Sequence, residues 1–96
     1  MDKNRPEITI LFPCLNEEDS LIPCLQQARS VINKYKLDAE VVVVDNGSTD
    51  RSVEIIKEQQ RIFPELVLFE EHRRGYGSAY LKGLSEAKGK YILMSD

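Results

Sequence analysis

The sequence has no long hydrophobic run and no signal-like start. No stretch of the 96 residues approaches the roughly 18 consecutive apolar residues expected of a membrane-spanning helix. The first residues, MDKNRP, lack the apolar segment of a secretory signal peptide. We therefore expect a protein that is made in the cytoplasm and stays there.

Positive charge is not in excess either. The chain has 13 Lys and Arg against 16 Asp and Glu, a formal net charge of −3. Nucleic-acid-binding domains usually show a basic excess, so this balance argues against such a partner. With 42% hydrophobic and 30% charged residues, the chain has the composition of an ordinary globular domain or part of one.

Cysteine and histidine are scarce. Cys14 and Cys24 are too few and too far apart for a zinc site, and we expect both to be structural thiols with no redox or catalytic role. His72 is the only histidine and has no plausible triad partners, so we assign it no catalytic role.

The most informative stretch is residues 40–50, EVVVVDNGSTD. Val41–Val44 do not alternate with polar residues, which is typical of a strand buried on both faces of a parallel sheet. Ligands of such sheets lie beyond the carboxyl ends of the strands, where Asp45 would meet them, although Asp-Asn-Gly is also common turn chemistry. Three residues can cap the following helix: Ser48, Thr49 and Asp50.

The remaining pattern predicts three more strands and three helices. The strands are expected at 8–12, 66–69 and 91–94, and the helices at about 20–35, 50–63 and 78–87. We expect Pro13, Pro64 and Gly89 to end the elements that precede them. The fold class is therefore α/β, an open, mostly parallel βαβαβαβ sheet with flanking helices.

Acidic residues follow the ends of three predicted strands. Glu17, Asp45 and Asp96 should lie along one edge of the sheet, although Glu17 could instead favour a helix N-terminus. Residues 70–77 form a charged loop whose His72, Arg73 and Arg74 either touch a diphosphate or are simply solvated.

Three motifs then resemble the N-terminal half of family 2 inverting glycosyltransferases with the GT-A fold, which is Rossmann-like. They are residues 12–18 (FPCLNEE), 43–50 (VVDNGSTD) and 89–96 (GKYILMSD), in the order that the family has. Residues 74–84 (RGYGSAYLKGL) further resemble the polyprenyl-phosphate branch, which includes dolichyl-phosphate mannosyltransferases.

The resemblance implies a site for the nucleotide of a UDP- or GDP-linked sugar. Pro13, Leu15 and Glu17 would line the base and ribose, while Asp45 and Asn46 would meet the base edge. Many relatives have a second aspartate where this chain has Asn46, so the base preference stays open.

By the same resemblance, Asp96 would be the first acid of an Asp-x-Asp motif that holds Mg²⁺ or Mn²⁺. The metal site would be incomplete within the chain, and the general base expected for catalysis would lie beyond Asp96. The acceptor would be a polyprenyl phosphate, which would place the full-length enzyme at the cytoplasmic face of a membrane.

We accordingly expect residues 1–96 to be a single partial domain, truncated at Asp96 and inactive alone. The surface that truncation exposes would permit oligomerisation.

Two other functions remain open. One is a non-catalytic nucleotide-binding or assembly module. The other is an NAD-binding oxidoreductase, because Gly75-Tyr-Gly77 follows a predicted strand and Asp96 comes about 20 residues later. Against the second alternative, Tyr80 occupies the third glycine position and charged residues separate the strand from Gly75.

Overall fold

A computed structural model describes residues 5–95 and contains the predicted alternation of strands and helices. The seven elements are β1 (Ile8–Cys14), α1 (Glu18–Tyr35), β2 (Ala39–Asp45), α2 (Ser52–Gln59), β3 (Leu66–Glu70), α3 (Tyr76–Glu86) and β4 (Tyr91–Met94). The predicted fold class is confirmed.

The four strands form one parallel sheet in the order β3-β2-β1-β4. From β1 the chain moves outward to β2 and β3, then returns across the sheet to place β4 on the other side of β1. Because crossovers between parallel strands are right-handed, this reversal places α3 on the face opposite α1 and α2. The sheet is therefore covered on both faces.

Strand β2 is the centre of the core, and all seven of its residues are buried. Val41 and Val43 pack with residues of α1 and α2, including Leu25 and Ile56. On the other face, Val42 and Val44 pack with Leu11 and with Ala79 of α3. The unbroken valine run is thus explained by a strand with a helix layer on each side.

Several element ends differ from the prediction. Pro13 lies inside β1, not after it, and pairs with Val44. The backbone groups of successive residues in β1 bond alternately to β2 and to the β4 side. The Leu11 carbonyl accepts from the Ser95 N–H on the β4 side. The nitrogen of Pro13 therefore also faces the β4 side, but it lies beyond Leu11, the last residue of β1 that pairs with β4. The N–H that proline lacks would have had no partner in the sheet.

The helices also differ at their ends. Helix α2 stops at Gln59, and Phe63 is buried in the turn that follows it. Helix α3 ends at Glu86, with the extended Ala87 as its C-cap, so Gly89 is not the glycine that ends the helix. A Cβ atom on Gly89 would lie 2.5 Å from the backbone nitrogen of Thr9, and this close approach is why the position requires glycine.

Strand β4 is the most exposed part of the sheet. It pairs with β1 alone, and Tyr91, Leu93 and Met94 are each more than half exposed. Among residues 5–95, no helix has both the length and the apolar character needed to cross a bilayer.

Candidate functional site

The order in which the chain adds strands to the sheet reverses between β1 and β4, and this is the switch point of the sheet. In open parallel sheets, ligands bind beyond the carboxyl ends of the strands next to such a point. Three loops meet at this edge: residues 15–17 after β1, 46–51 after β2 and 71–75 after β3.

Two adjoining recesses open at this edge. The larger, of about 480 Å³, is lined by Leu15, Asn16, Asn46, Gly47, Thr49, Arg74, Gly75 and Tyr76. The smaller, of about 190 Å³, is lined by Pro13, Glu17, Tyr76 and Tyr80. Tyr76 lines both, so the two recesses adjoin, and we call them together the carboxyl-edge crevice.

Four of the predicted site residues line this crevice: Pro13, Leu15, Glu17 and Asn46. Leu15 is 41% exposed. Glu17 lies at the start of α1, where its carboxylate accepts a 2.8 Å hydrogen bond from the Ser20 hydroxyl. Its role toward a ligand stays a prediction.

Asp45 lies just beneath the crevice and is 2% exposed. One carboxylate oxygen accepts from the backbone N–H groups of Gly47 (3.1 Å) and Ser48 (2.9 Å), and the other accepts from the Ser48 hydroxyl. Through these bonds Asp45 holds the turn after β2 in place. Direct contact between Asp45 and a ligand stays a prediction.

Asn46 joins the second loop to the third. Its side-chain nitrogen donates to the carbonyls of Glu71 (2.9 Å) and Arg73 (2.7 Å), and its oxygen accepts from the Gly75 N–H (2.9 Å). The predicted contact with a base edge is not tested by these bonds.

Asn16 joins the first loop to the second, and sequence reasoning missed it. Its backbone adopts the left-handed conformation with φ of 52°, which asparagine tolerates better than most residues. Its side-chain oxygen accepts from the backbone N–H groups of Thr49 (2.8 Å) and Asp50 (3.3 Å).

The second loop in turn caps the start of α1. The consecutive N–H groups of residues 16–18 donate to the side chains of Ser48, Ser52 and Asp50, respectively. Asp19 and Ser20 are inside the helix and do not cap it. The N-cap of α2 is Arg51, and not one of the three residues expected; Asp50, just before it, accepts from the Ser52 N–H at 2.9 Å.

Asp50 therefore links the starts of two helices. Partial desolvation acts to raise the pKa of its carboxyl, but hydrogen bonds from Ser52 and from the Glu18 backbone outweigh that effect. The net result is a lowered pKa, which keeps the carboxylate ionised and able to accept from both helices.

Cys14, at the end of β1, is buried beside these loops. Burial raises the pKa of its thiol to about 11, and the nearby charge of Asp45 adds to the rise. The thiol is therefore neutral at physiological pH, as expected of a structural cysteine.

Arginines of the third loop have two different environments. Arg73 forms an ion pair with the largely buried Glu71, whereas Arg74 lines the crevice. His72 is exposed. The loop thus presents one positive charge to the crevice.

Within residues 5–95 there is no cluster of three His, Cys, Asp or Glu side chains that could hold a metal ion. The described residues alone do not form a metal site. Asp96, the predicted metal ligand, lies outside the described residues.

The fold and the crevice define a class, an α/β domain of the Rossmann-like type with a crevice at the carboxyl edge of its sheet. The family follows from comparison with known proteins. Residues 9–96 match the model of glycosyl transferase family 2, and the chain belongs to that family. The expected family and its GT-A fold are confirmed.

Two relatives and one solved structure illustrate the match. The chain is 35% identical over 91 residues to the low-salt glycan biosynthesis hexosyltransferase Agl6 of Haloferax volcanii, covering 95% of this chain and 21% of Agl6. It is 30% identical over 91 residues to an undecaprenyl-phosphate 4-deoxy-4-formamido-L-arabinose transferase of Pseudomonas fluorescens, covering 93% of this chain and 27% of that protein.

The solved structure is the mannosyltransferase PcManGT of Pyrobaculum calidifontis, in complex with GDP-Man and Mn²⁺. It superposes with a TM-score of 0.67 and 32% identity over 94% of this chain and 27% of that one. The chain therefore spans about a quarter or less of the length of the relatives that head the curated matches.

Sequence reasoning missed Asn16 and Tyr76. Tyr76 is 56% exposed and lines both recesses. Tyr80 packs against the α3 side of the core and also lines the smaller recess. The signal that could have identified Tyr76 as a site residue is its position directly after Gly75, at the start of a helix that faces the switch point.

Proposed function

We propose that the protein carrying this chain is a glycosyltransferase that moves a sugar from a UDP- or GDP-linked donor to an acceptor, with inversion at the sugar carbon. In this proposal the carboxyl-edge crevice receives the nucleotide. The observation that carries it is the convergence of Pro13, Leu15 and Glu17, residues singled out from sequence, on one crevice at the switch point.

The chemistry of the crevice suits a nucleotide. The exposed face of Leu15 and the ring of Tyr76 offer apolar surface to a base, and the Glu17 carboxylate can accept hydrogen bonds from ribose hydroxyls. Arg74 can pair with a diphosphate across the same space. Asp45 and Asn46 remain in the proposed site as residues of its floor.

A divalent metal is part of the proposal, as Mg²⁺ or Mn²⁺. The PcManGT complex contains Mn²⁺ together with its nucleotide sugar, which supports metal use in this fold. Asp96 is the proposed ligand from this chain, and such an ion would neutralise charge on the leaving diphosphate. Asp96→Ala in the full-length protein should abolish metal-dependent donor binding.

The proposed acceptor is a polyprenyl phosphate, at the cytoplasmic face of a membrane. It is supported by residues 74–84 and by the relative that is named for undecaprenyl phosphate. We further propose that acceptor binding and the general base lie outside these 96 residues, so that the isolated chain binds donor without turnover.

Calorimetric titration with UDP, GDP and NAD tests the nucleotide proposal. We expect UDP or GDP to bind and Glu17→Gln to weaken that binding, because the substitution removes the charge from a strong acceptor. Asp19→Asn is the matched control, since Asp19 is exposed on the same helical turn and lines neither recess. Tighter binding of NAD, or equal losses in both variants, would refute the proposal.

A further inference from the structure

The amide of Asn46 has three hydrogen-bond partners, and all of them belong to one loop. Both donated bonds and the accepted bond go to the backbone of residues 71–75, at 2.7 to 2.9 Å. The residue itself is 8% exposed.

An asparagine side chain has two N–H donors and a carbonyl oxygen that can accept two hydrogen bonds. In Asn46 both donors face carbonyl oxygens, of Glu71 and Arg73, and the acceptor faces an N–H. Reading a base edge through its donors would require Asn46 to give up at least one of these bonds. The bond to Glu71 is buried, and losing it would leave that carbonyl unpaired, which is unfavourable.

The loop that Asn46 holds forms one wall of the crevice. Gly75 has φ of 108°, a conformation that L side chains rarely adopt, and its N–H is fixed by the Asn46 oxygen. Arg74 and Tyr76, the neighbours of Gly75, both line the crevice. The position of this cation and this ring therefore depends on the Asn46 amide.

We infer that Asn46 is a positioning residue, which sets the wall formed by Arg74 and Tyr76 and has no N–H left to donate to a base. The inference rests on the proposed nucleotide site for its functional consequence. Its structural part, that Asn46 holds residues 71–75 in place, stands independently of any ligand.

Asn46→Asp is the most informative substitution because it changes shape very little. The aspartate keeps an acceptor for the Gly75 N–H but turns carboxylate oxygen toward the carbonyls of Glu71 and Arg73, which repel it. Asn46→Ala removes all three bonds without adding repulsion. Asn33→Asp, on the exposed surface of α1, controls for the added charge.

The first measurement is hydrogen exchange of residues 71–78 in the full-length protein without nucleotide. We expect exchange at the Gly75 amide to accelerate by about tenfold or more in both Asn46 variants and to stay unchanged in Asn33→Asp. Unchanged exchange in the Asn46 variants would overturn the inference. Fast exchange of this amide in the wild type would also overturn it, even if no variant folds.

The second measurement compares UDP and GDP affinity. A positioning role predicts that both affinities fall by a similar factor, since the wall formed by Arg74 and Tyr76 serves either nucleotide. A loss confined to one nucleotide, with unchanged exchange, would show that Asn46 reads the base. If the wild type binds neither nucleotide, the proposed function fails, while the exchange measurement still decides the positioning role.

Discussion

The two edges of the sheet use similar polar chemistry with opposite results. At the amino edge, the Glu40 carboxylate accepts from the Thr9 hydroxyl (2.6 Å) and the Lys88 N–H (2.7 Å), and the Thr9 hydroxyl accepts from the Gly89 N–H (2.9 Å). The backbones of Thr9 and Gly89 are so close that no side chain fits between them. This edge is closed.

At the carboxyl edge, the bonds run between loops along the walls of an open crevice. Asn16 ties the first loop to the second, and Asn46 ties the second to the third. At the amino edge, the hydrogen bonds join strands directly to a turn and leave no space between them. At the carboxyl edge, they join neighbouring loops and leave a crevice between those loops. We therefore expect substitutions at the amino edge to affect mainly stability, and those at the carboxyl edge mainly binding.

The largest effect is expected from Gly89→Ala at the amino edge. The added Cβ would overlap the Thr9 nitrogen and the Ile8 carbonyl carbon, which are strand backbone atoms and cannot move aside. We predict a loss of about 3 kcal/mol or more in the free energy of unfolding, measured by denaturant titration. Gly77→Ala is the control, because its Cβ meets nothing within 4 Å. Equal effects of the two substitutions would contradict the closed amino edge.

A somewhat smaller loss is expected from Thr9→Val. Valine keeps the shape of threonine but leaves the buried Glu40 carboxylate with one donor, the Lys88 N–H, in place of two, and leaves the Gly89 N–H without an acceptor. We predict a destabilisation of about 2 to 3 kcal/mol by thermal or chemical unfolding. Thr49→Val at the carboxyl edge removes only an exposed 3.4 Å contact and should cost less than about 0.5 kcal/mol. If Thr9→Val is as stable as the wild type, the hydrogen bonds of Thr9 contribute little to stability.

The carboxyl edge should differ from the amino edge in its response to acid. The folded-state pKa of Asp50 is lowered, so its contribution to stability is present above the usual aspartate pKa of about 3.9 and is lost as pH falls through the lower folded-state value. Asp50→Asn should remove this part of the acid dependence and lower stability at pH 7. Unfolding curves between pH 2 and pH 7 that keep the same pH dependence in both proteins would rule out this role.

The smallest effect concerns the two cysteines. Cys14, with its pKa raised to about 11, should resist alkylation at pH 8, whereas the exposed Cys24 should react. Mass spectrometry of the folded protein should show one modification, on Cys24, and a second only after denaturation. Rapid modification of Cys14 would mean that the end of β1 is open to solvent.

Much of the fold could be predicted from local pattern. Val41–Val44 predicts a strand buried on both faces, and the boundaries of β4 agree with the sequence interpretation. The exceptions depend on tertiary neighbours: Pro13 stays in β1 because β4 ends before reaching it, and Gly89 is required by contact with Thr9. Neither of these tertiary relationships can be inferred from the sequence around Pro13 or Gly89.

The candidate site was predicted only in part, for a similar reason. Position after a strand was enough to place Glu17 and Asn46 at the carboxyl edge. The partners of Asn16 are 32 to 34 residues away along the chain, so its link between two loops could not be read from local sequence.

The central claim is that the carboxyl edge, and not the amino edge, receives a nucleotide. Amide chemical shifts of the full-length protein during titration with UDP and GDP test it most directly. The account predicts shifts in residues 15–17, 46–51 and 71–76, with residues 38–40 and 88–90 unchanged. Shifts confined to the amino edge, or none at saturating nucleotide, would contradict it.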